Sequence, residues 1–385
     1  MMVSTAPSLG LLITAAGLCA GALVGAVSAS TQGEYSPAPV PIWSVDGPAW
    51  GRPVADASTT FALSKQHEVV AMDAETGRVR WRHRTALRDD VMSGRRVLLA
   101  GPVVVAGDYD IYGLNREDGT LRWRFSPLDG YAPGLYLGVT AGGLVFAGSP
   151  AGRLYAVRAD SGELVWSARV GSTAPTTVFE PVEANGVVFA GFTVFGTPQT
   201  GGVVAVDVDT GLELWRTVFS DTLDSTNTGG WAGGPVVAGD LVVSANSRGH
   251  IMAMERDGGR VRWIIDKTGT SVPLPERDFR PLASTDDLVV AGSLSGYVVA
   301  YDVTSRRERW HFSGTAHGSV GLAFGQDAQS IYIPFMNGRL VALDISTGRE
   351  RWVTDRAVGR IFWPPALLGR RVYVATETSF VALHW

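Results

Sequence analysis

The sequence predicts an all-β protein, an eight-bladed β-propeller of four-stranded antiparallel blades, on three observations. First, a small residue and a tryptophan recur ten positions apart: Ala71 with Trp81, Gly113 with Trp123, Ala156 with Trp166, Ala205 with Trp215, Ala253 with Trp263, Ala300 with Trp310 and Ala342 with Trp352. Second, most of these intervals hold Asp, Asn, Ser or Thr followed by Gly, the chemistry of a tight turn in which glycine supplies a positive φ. Third, Val381-Ala382-Leu383 repeats Val341-Ala342-Leu343, but the turn and the tryptophan do not follow it.

Each unit reads as four short strands. An apolar pair such as Val69-Val70 or Val203-Val204 precedes the small residue, and the strand after the turn alternates, as in Arg78-Val79-Arg80-Trp81-Arg82. Upstream runs such as LVFAGS (144–149) and LVVAGS (288–293) supply another strand, and a segment introduced by Gly or Pro supplies the innermost one. Successive tryptophans stand 38 to 49 residues apart, the period of propeller blades; a β-helix needs shorter and more uniform coils.

The interrupted last unit lacks an outer strand, and the stretch Val40–Asp46 carries a tryptophan, Trp43, without a unit of its own. Pairing the two closes the ring and removes an exposed sheet edge. Trp43, Trp81, Trp123, Trp166, Trp215, Trp263, Trp310 and Trp352 are then the docking residues of eight blades. A buried indole hides ~150–250 Å², an upper bound of ~4–6 kcal/mol for each.

Bulk properties narrow the class. Apolar residues make up 45% and charged residues 18%, and the 47 glycines suit a turn-rich β protein. A net charge of -4 leaves no basic stripe, which argues against nucleic acid. Residues 1–29 carry no charge and hold the apolar run Leu11–Val27, with Val27 and Ala29 as a small-residue cleavage site. They read as a secretory signal or, uncleaved, an anchor. Residues 30–39 read as a linker and 40–385 as one propeller, exported to the periplasm or the extracellular space. The single cysteine, Cys19, follows Leu18 where a lipidation site has a small residue; membrane attachment would be through this N-terminal segment, either uncleaved or lipidated at Cys19.

AMDAETGRVRW, AVDVDTGLELW and ALDISTGRERW closely resemble the tryptophan-docking repeat of pyrroloquinoline-quinone-type propellers, A-x-D-x-x-T-G-x-x-x-W. The other copies are degenerate: Asn115, Arg158 and Glu255 replace the Asp, and Arg306 replaces the turn Gly. One branch of that superfamily comprises quinone-dependent dehydrogenases, whose cofactor sits on the propeller axis with calcium. Its members typically carry an adjacent cysteine pair, which a chain cleaved after Ala29 lacks. The other branch is the BamB-like propeller of the outer-membrane β-barrel assembly machinery, a scaffold without catalysis. Gly171–Thr177 is similar to a stretch of that family at a blade entrance, although Ala168-Arg169-Val170 stands where the family has a Leu-Arg contact pair.

Ligands of propellers bind where the innermost strands begin. Trp50, Tyr131, Trp231, Arg280, His317 and Trp363 lie in the segments leading into those strands, and together they read as an aromatic collar with two polar handles. The competing reading makes each indole a plug over its own blade. Glu180 and Glu183 flank the first strand of the fourth blade and read as channel wall, since calcium needs six to eight oxygen ligands and no carboxylate cluster appears. No nucleophile elbow accompanies His317.

The sequence therefore reads as a non-enzymatic, monomeric exported scaffold with a protein partner in the cell envelope, no metal and no cofactor. The alternatives are a dehydrogenase using pyrroloquinoline quinone with calcium, and an extracellular sensor or carbohydrate-binding module.

Overall fold

The computed structural model describes residues 37–47, 51–85, 96–107, 109–127, 134–171, 175–196, 199–219, 234–246, 250–265, 280–293, 295–314, 320–321, 324–354 and 358–385. Of residues 139–141 and 280–282 it describes the backbone alone. The predicted signal and most of the linker lie outside this set.

The described residues form eight antiparallel sheets. The first blade is typical, with strands Val54–Ala55, Thr59–Leu63, Glu68–Asp73 and Val79–Arg84 paired in chain order. First strands of successive blades lie against one another, Val54–Ala55 between Val97–Ala100 and Ala366–Leu368, so these strands line the centre. Eight apolar clusters fill the ring, one at each blade junction and none confined to a single blade. A four-stranded blade has two apolar faces, and stacking against both neighbours is what buries them.

The ten-residue spacing becomes a cross-strand pair. Ala71 opposes Trp81, and the same holds at Gly113 and Trp123, Ala156 and Trp166, Ala205 and Trp215, Ala253 and Trp263, Ala300 and Trp310, and Ala342 and Trp352. A register shift follows the small residue each time, consistent with an indole lying across its neighbour. At Gly113 the approach is so close that a Cβ would fall 2.0 Å from the Trp123 ring.

The ring closes through its N-terminal strand. Val40–Asp46 pairs with Ser379–His384 as the outer strand of the last blade, and Trp43 opposes Ala382 as the other tryptophans oppose their small residues. The Gly47 amide adds a hydrogen bond of 3.0 Å to the Thr378 carbonyl.

Seven of the eight docked indoles then tie their blade to the next by a hydrogen bond. The Nε1–H of Trp43, Trp81, Trp123, Trp166, Trp215, Trp263 and Trp310 donates to the carbonyl of Ala74, Arg116, Ala159, Val208, Arg256, Val303 and Ile345 respectively, at 2.9–3.3 Å. Except for Trp263, which meets the turn that holds Arg306, their ring faces lie on the turn glycine of the following blade: a Cβ on Gly77 or Gly348 would stand 2.6 or 2.5 Å from Trp43 or Trp310. Those glycines need their positive φ as well as their missing side chain.

The fourth blade departs from this plan. Its inner strand is split into Thr176–Val178 and Val182–Ala184, both paired with Val187–Val194. The break holds Phe179, Glu180 and Pro181, and proline has no amide to continue a ladder. Glycines from both neighbouring blades press on it: a Cβ on Gly138 would come 2.2 Å from the Pro181 carbonyl oxygen, and one on Gly234 would come 2.3 Å from that of Glu180.

Candidate functional site

Two regions of the described ring depart from its repeating chemistry, one on the outer rim and one at the centre. On the rim, the repeat aspartate builds its own turn. Asp344 Oδ1 accepts from the amides of Ser346 and Thr347 at 3.1 and 3.0 Å, and Oδ2 accepts from Arg351 at 2.6 Å. Asp73 with Arg80 and Asp302 with Arg309 repeat the pairing at 2.7 Å. These contacts hold the three carboxyls below the usual range: the Arg80 hydrogen bond leads at Asp73 and the Ser305 amide at Asp302, while at Asp344 they outweigh an upward push from burial.

The fourth blade breaks this pattern. On the outer strand of the first blade and the turn before it, Arg78, Arg80, Arg82 and Arg84 occupy the alternate positions that point away from Trp81. In the fourth blade the same positions hold Leu212, Leu214, Arg216 and Val218, and the three apolar ones are 68%, 53% and 49% exposed. Leu214 stands where Arg80, Arg309 and Arg351 reach back to the repeat aspartate. At the end of the blade where Val218 lies, the hairpin joining the second and third strands carries Phe195, which is also exposed.

At the centre, three charged residues converge from three blades. Arg52 precedes the inner strand of the first blade and Arg96 that of the second, and their backbones form an isolated parallel bridge. The break in the fourth blade delivers Glu180. Arg96 Nη1 lies 3.3 Å from Glu180 Oε1 and 3.4 Å from the Leu137 carbonyl, while Arg52 Nη2 lies 3.8 Å from Glu180 Oε2. Burial and the neighbouring Arg52 charge pull the Arg96 guanidinium down to about 10, against the opposing pull of Glu180. Burial and the Glu180 charge push the Tyr136 hydroxyl upward. Glu183 takes no part, since its carboxylate accepts the Gly186 amide at 2.8 Å.

Of the predicted collar, Trp50, Tyr131, Trp231 and His317 lie outside the described residues, as does the Arg280 side chain, whose backbone starts the inner strand of the sixth blade. Trp363 is half-buried just before the inner strand of the last blade, and its Nε1–H is buried without an acceptor among the described residues. The eight predicted docking tryptophans occupy the blade junctions described above. The convergence of Arg96 with Arg52 and Glu180 had no signal in the sequence, because the repeat pattern places residues within a blade and does not relate one blade's entrance to another's. The one available hint was Pro181 beside an acidic residue in a strand position. Among the described residues no group of His, Cys, Asp or Glu is arranged to hold a metal.

Eight tryptophan-docked blades closed by an outer strand define a propeller of the pyrroloquinoline-quinone-like repeat class. The chain matches the family model described as outer membrane protein assembly factor BamB over residues 21–265, 178–329 and 294–383, and it belongs to that family. It is 24% identical over 308 residues to the outer membrane protein assembly factor BamB of Salmonella typhimurium, covering 64% of this chain and 72% of that one. To that of Bordetella pertussis it is 27% identical over 252 residues, covering 63% of this chain and 60% of that one. In fold it is similar to crystalline BamB from Moraxella catarrhalis, with a TM-score of 0.66 at 16% identity over 90% of this chain and all of that one. A quinohemoprotein alcohol dehydrogenase from Pseudomonas putida HK5 gives 0.68 at 13% identity over 90% of this chain and 76% of that one, a likeness of fold alone.

Proposed function

We propose that this protein is a non-enzymatic, exported scaffold of the cell envelope that holds a protein partner during outer-membrane protein assembly. Family membership supports the assembly role. The carrying observation is the rim of the fourth blade, where Leu212, Leu214 and Val218 replace the arginines that guard the first. Arginine on an edge strand deters pairing with other chains, and an exposed edge with alternating apolar side chains invites it. The partner segment this edge fits is an extended strand adding its backbone to Glu213–Val218, with apolar residues at alternate positions to cover Leu214 and Val218. A photo-crosslinker at position 212, on the same rim and 68% exposed, should capture a barrel-assembly component in envelope preparations. Leu214→Arg should abolish that capture with no loss of stability, because it restores the pair to Asp207 seen in other blades and worth about 0–1 kcal/mol on a surface. Undiminished capture by Leu214→Arg would overturn the rim as the docking edge.

A further inference from the structure

We propose that Arg52 and Arg96, at the entrance of the central channel, form a binding site for a singly charged carboxylate. The site is independent of the rim of the fourth blade and would stand if that assignment failed. Its first support is charge. Two guanidiniums face one carboxylate, Glu180, so among the described residues the cluster carries one uncompensated positive charge. The three side chains are only 23%, 17% and 30% exposed, which makes that charge costly to leave unmatched but still reachable from the channel.

The second support is the set of buried donors with nothing to donate to. Glu180 engages Arg96 at 3.3 Å and Arg52 only at 3.8 Å, and Arg52 Nε is buried without an acceptor among the described residues. Trp363 Nε1 is in the same condition. The inner strands that Arg52 and Trp363 precede, Val54–Ala55 and Ala366–Leu368, lie side by side. Each unmet donor carries a desolvation penalty, which an acceptor-only group entering the channel relieves.

These features select the ligand class. A metal cation is repelled by paired guanidiniums. A phosphate dianion brings one negative charge more than the cluster lacks. A carboxylate matches the deficit of one charge, accepts through two coplanar oxygens that fit a guanidinium fork, and has no proton to donate among donors. The source is either a free small carboxylate or the carboxylate of a polypeptide.

Calorimetric titration of the full chain separates these sources, using sodium acetate against sodium chloride at equal ionic strength and a tripeptide with a free C-terminus against its amide. Saturable binding of acetate assigns a free small carboxylate, and binding of the free-acid tripeptide without acetate assigns a polypeptide. Arg52→Gln should weaken binding by at least about tenfold, and Arg52→Lys, which keeps the charge but loses Nε and the fork, should weaken it nearly as much. Glu180→Gln should change affinity in the other direction, tightening binding by several-fold, because it removes the competing carboxylate. Should Glu180→Gln fail to fold, the comparison of Arg52→Lys with wild type decides alone. Binding of neither probe, equal binding of acid and amide, or an Arg52→Lys affinity equal to wild type would each overturn the site.

Discussion

Trp352 packs against Trp385, with ring centroids 5.7 Å apart and planes inclined by 42°. At six other junctions the docked indole rests on a turn glycine of the next blade, and at the seventh Arg306 holds that position, but the last blade draws its outer strand from the N-terminal segment and has no such turn. Trp385 stands in register with Ile345, whose carbonyl receives the Trp310 indole, and its amide bonds to Arg370 as that of Ile345 bonds to Gln329. Its ring takes over the cover, and Trp352 is left only 1% exposed. Trp385→Ala should therefore destabilise the ring by about 2 kcal/mol, below the usual cost of a buried tryptophan because Trp385 is itself half-buried. Urea titration followed by tryptophan fluorescence measures the loss, and a midpoint equal to wild type would contradict the packing role.

Removing residues 37–46 should open the ring. The deletion exposes the edge of Ser379–His384 and strips Trp43 from Gly77 and from the Ala74 carbonyl. Size-exclusion chromatography should show self-association and a lowered melting temperature. A truncated chain that stays monomeric with its melt unchanged would refute closure by this strand.

Arg306 offers a substitution in the stabilising direction. It occupies the turn-glycine position of the sixth blade and takes φ of 62°, a region costly for any residue with a Cβ. Arg306→Gly should gain about 0.5–1 kcal/mol, the relief of strain less the extra freedom of glycine in the unfolded chain. Calorimetric melting checks it, and a lowered melting temperature would show that the Arg306 side chain contributes more than its backbone costs. His67, wholly buried at φ 60°, shares the left-handed conformation in a turn where the third, sixth and seventh blades have Gly152, Gly296 and Gly338.

The repeat aspartates set the response to acid. Asp73, Asp207, Asp302 and Asp344 all lie below their ordinary range in the folded ring, and Glu255 is lowered to about 2 by Arg260 and Arg262. A depressed folded-state pKa means stability that is present above the unfolded value and lost as pH falls through the folded one. The melting temperature should thus be flat from pH 7 to about 5 and decline below about pH 4.5, where unfolded carboxylates begin to bind protons. Asp344→Asn should melt lower at pH 7 and decline less steeply in acid. A wild-type melt that is unchanged to pH 3 would exclude these turns as the source.

The repeating part of the architecture was legible because one constraint recurs. An indole lying across its neighbour demands a small residue opposite it, and that demand shows in the sequence as a fixed interval between Ala71 and Trp81 and their counterparts. Closure was legible for the same reason, since Trp43 lacked a partner within its own unit and Ala382 lacked a tryptophan. The centre was not legible. Arg52, Arg96 and Glu180 come from different blades, and only the ring geometry, with the strand break at Pro181, decides that they meet. Trp385 was hidden because nothing in its spacing distinguishes it from the end of an ordinary third strand.

The clasp also imposes an order in time. Val40–Asp46 leaves the ribosome early, yet the strand it pairs with, Ser379–His384, is made more than 330 residues later. At about 5–20 residues per second the interval is roughly 15–70 seconds, during which seven blades can stack while Trp43 and its strand wait unpaired. The last blade cannot be completed until both ends of the propeller are available together, so maturation is gated by its final step. A nascent or stalled chain is an open ring with two sticky edges, and shielding the first of them is a requirement that the closed molecule no longer displays.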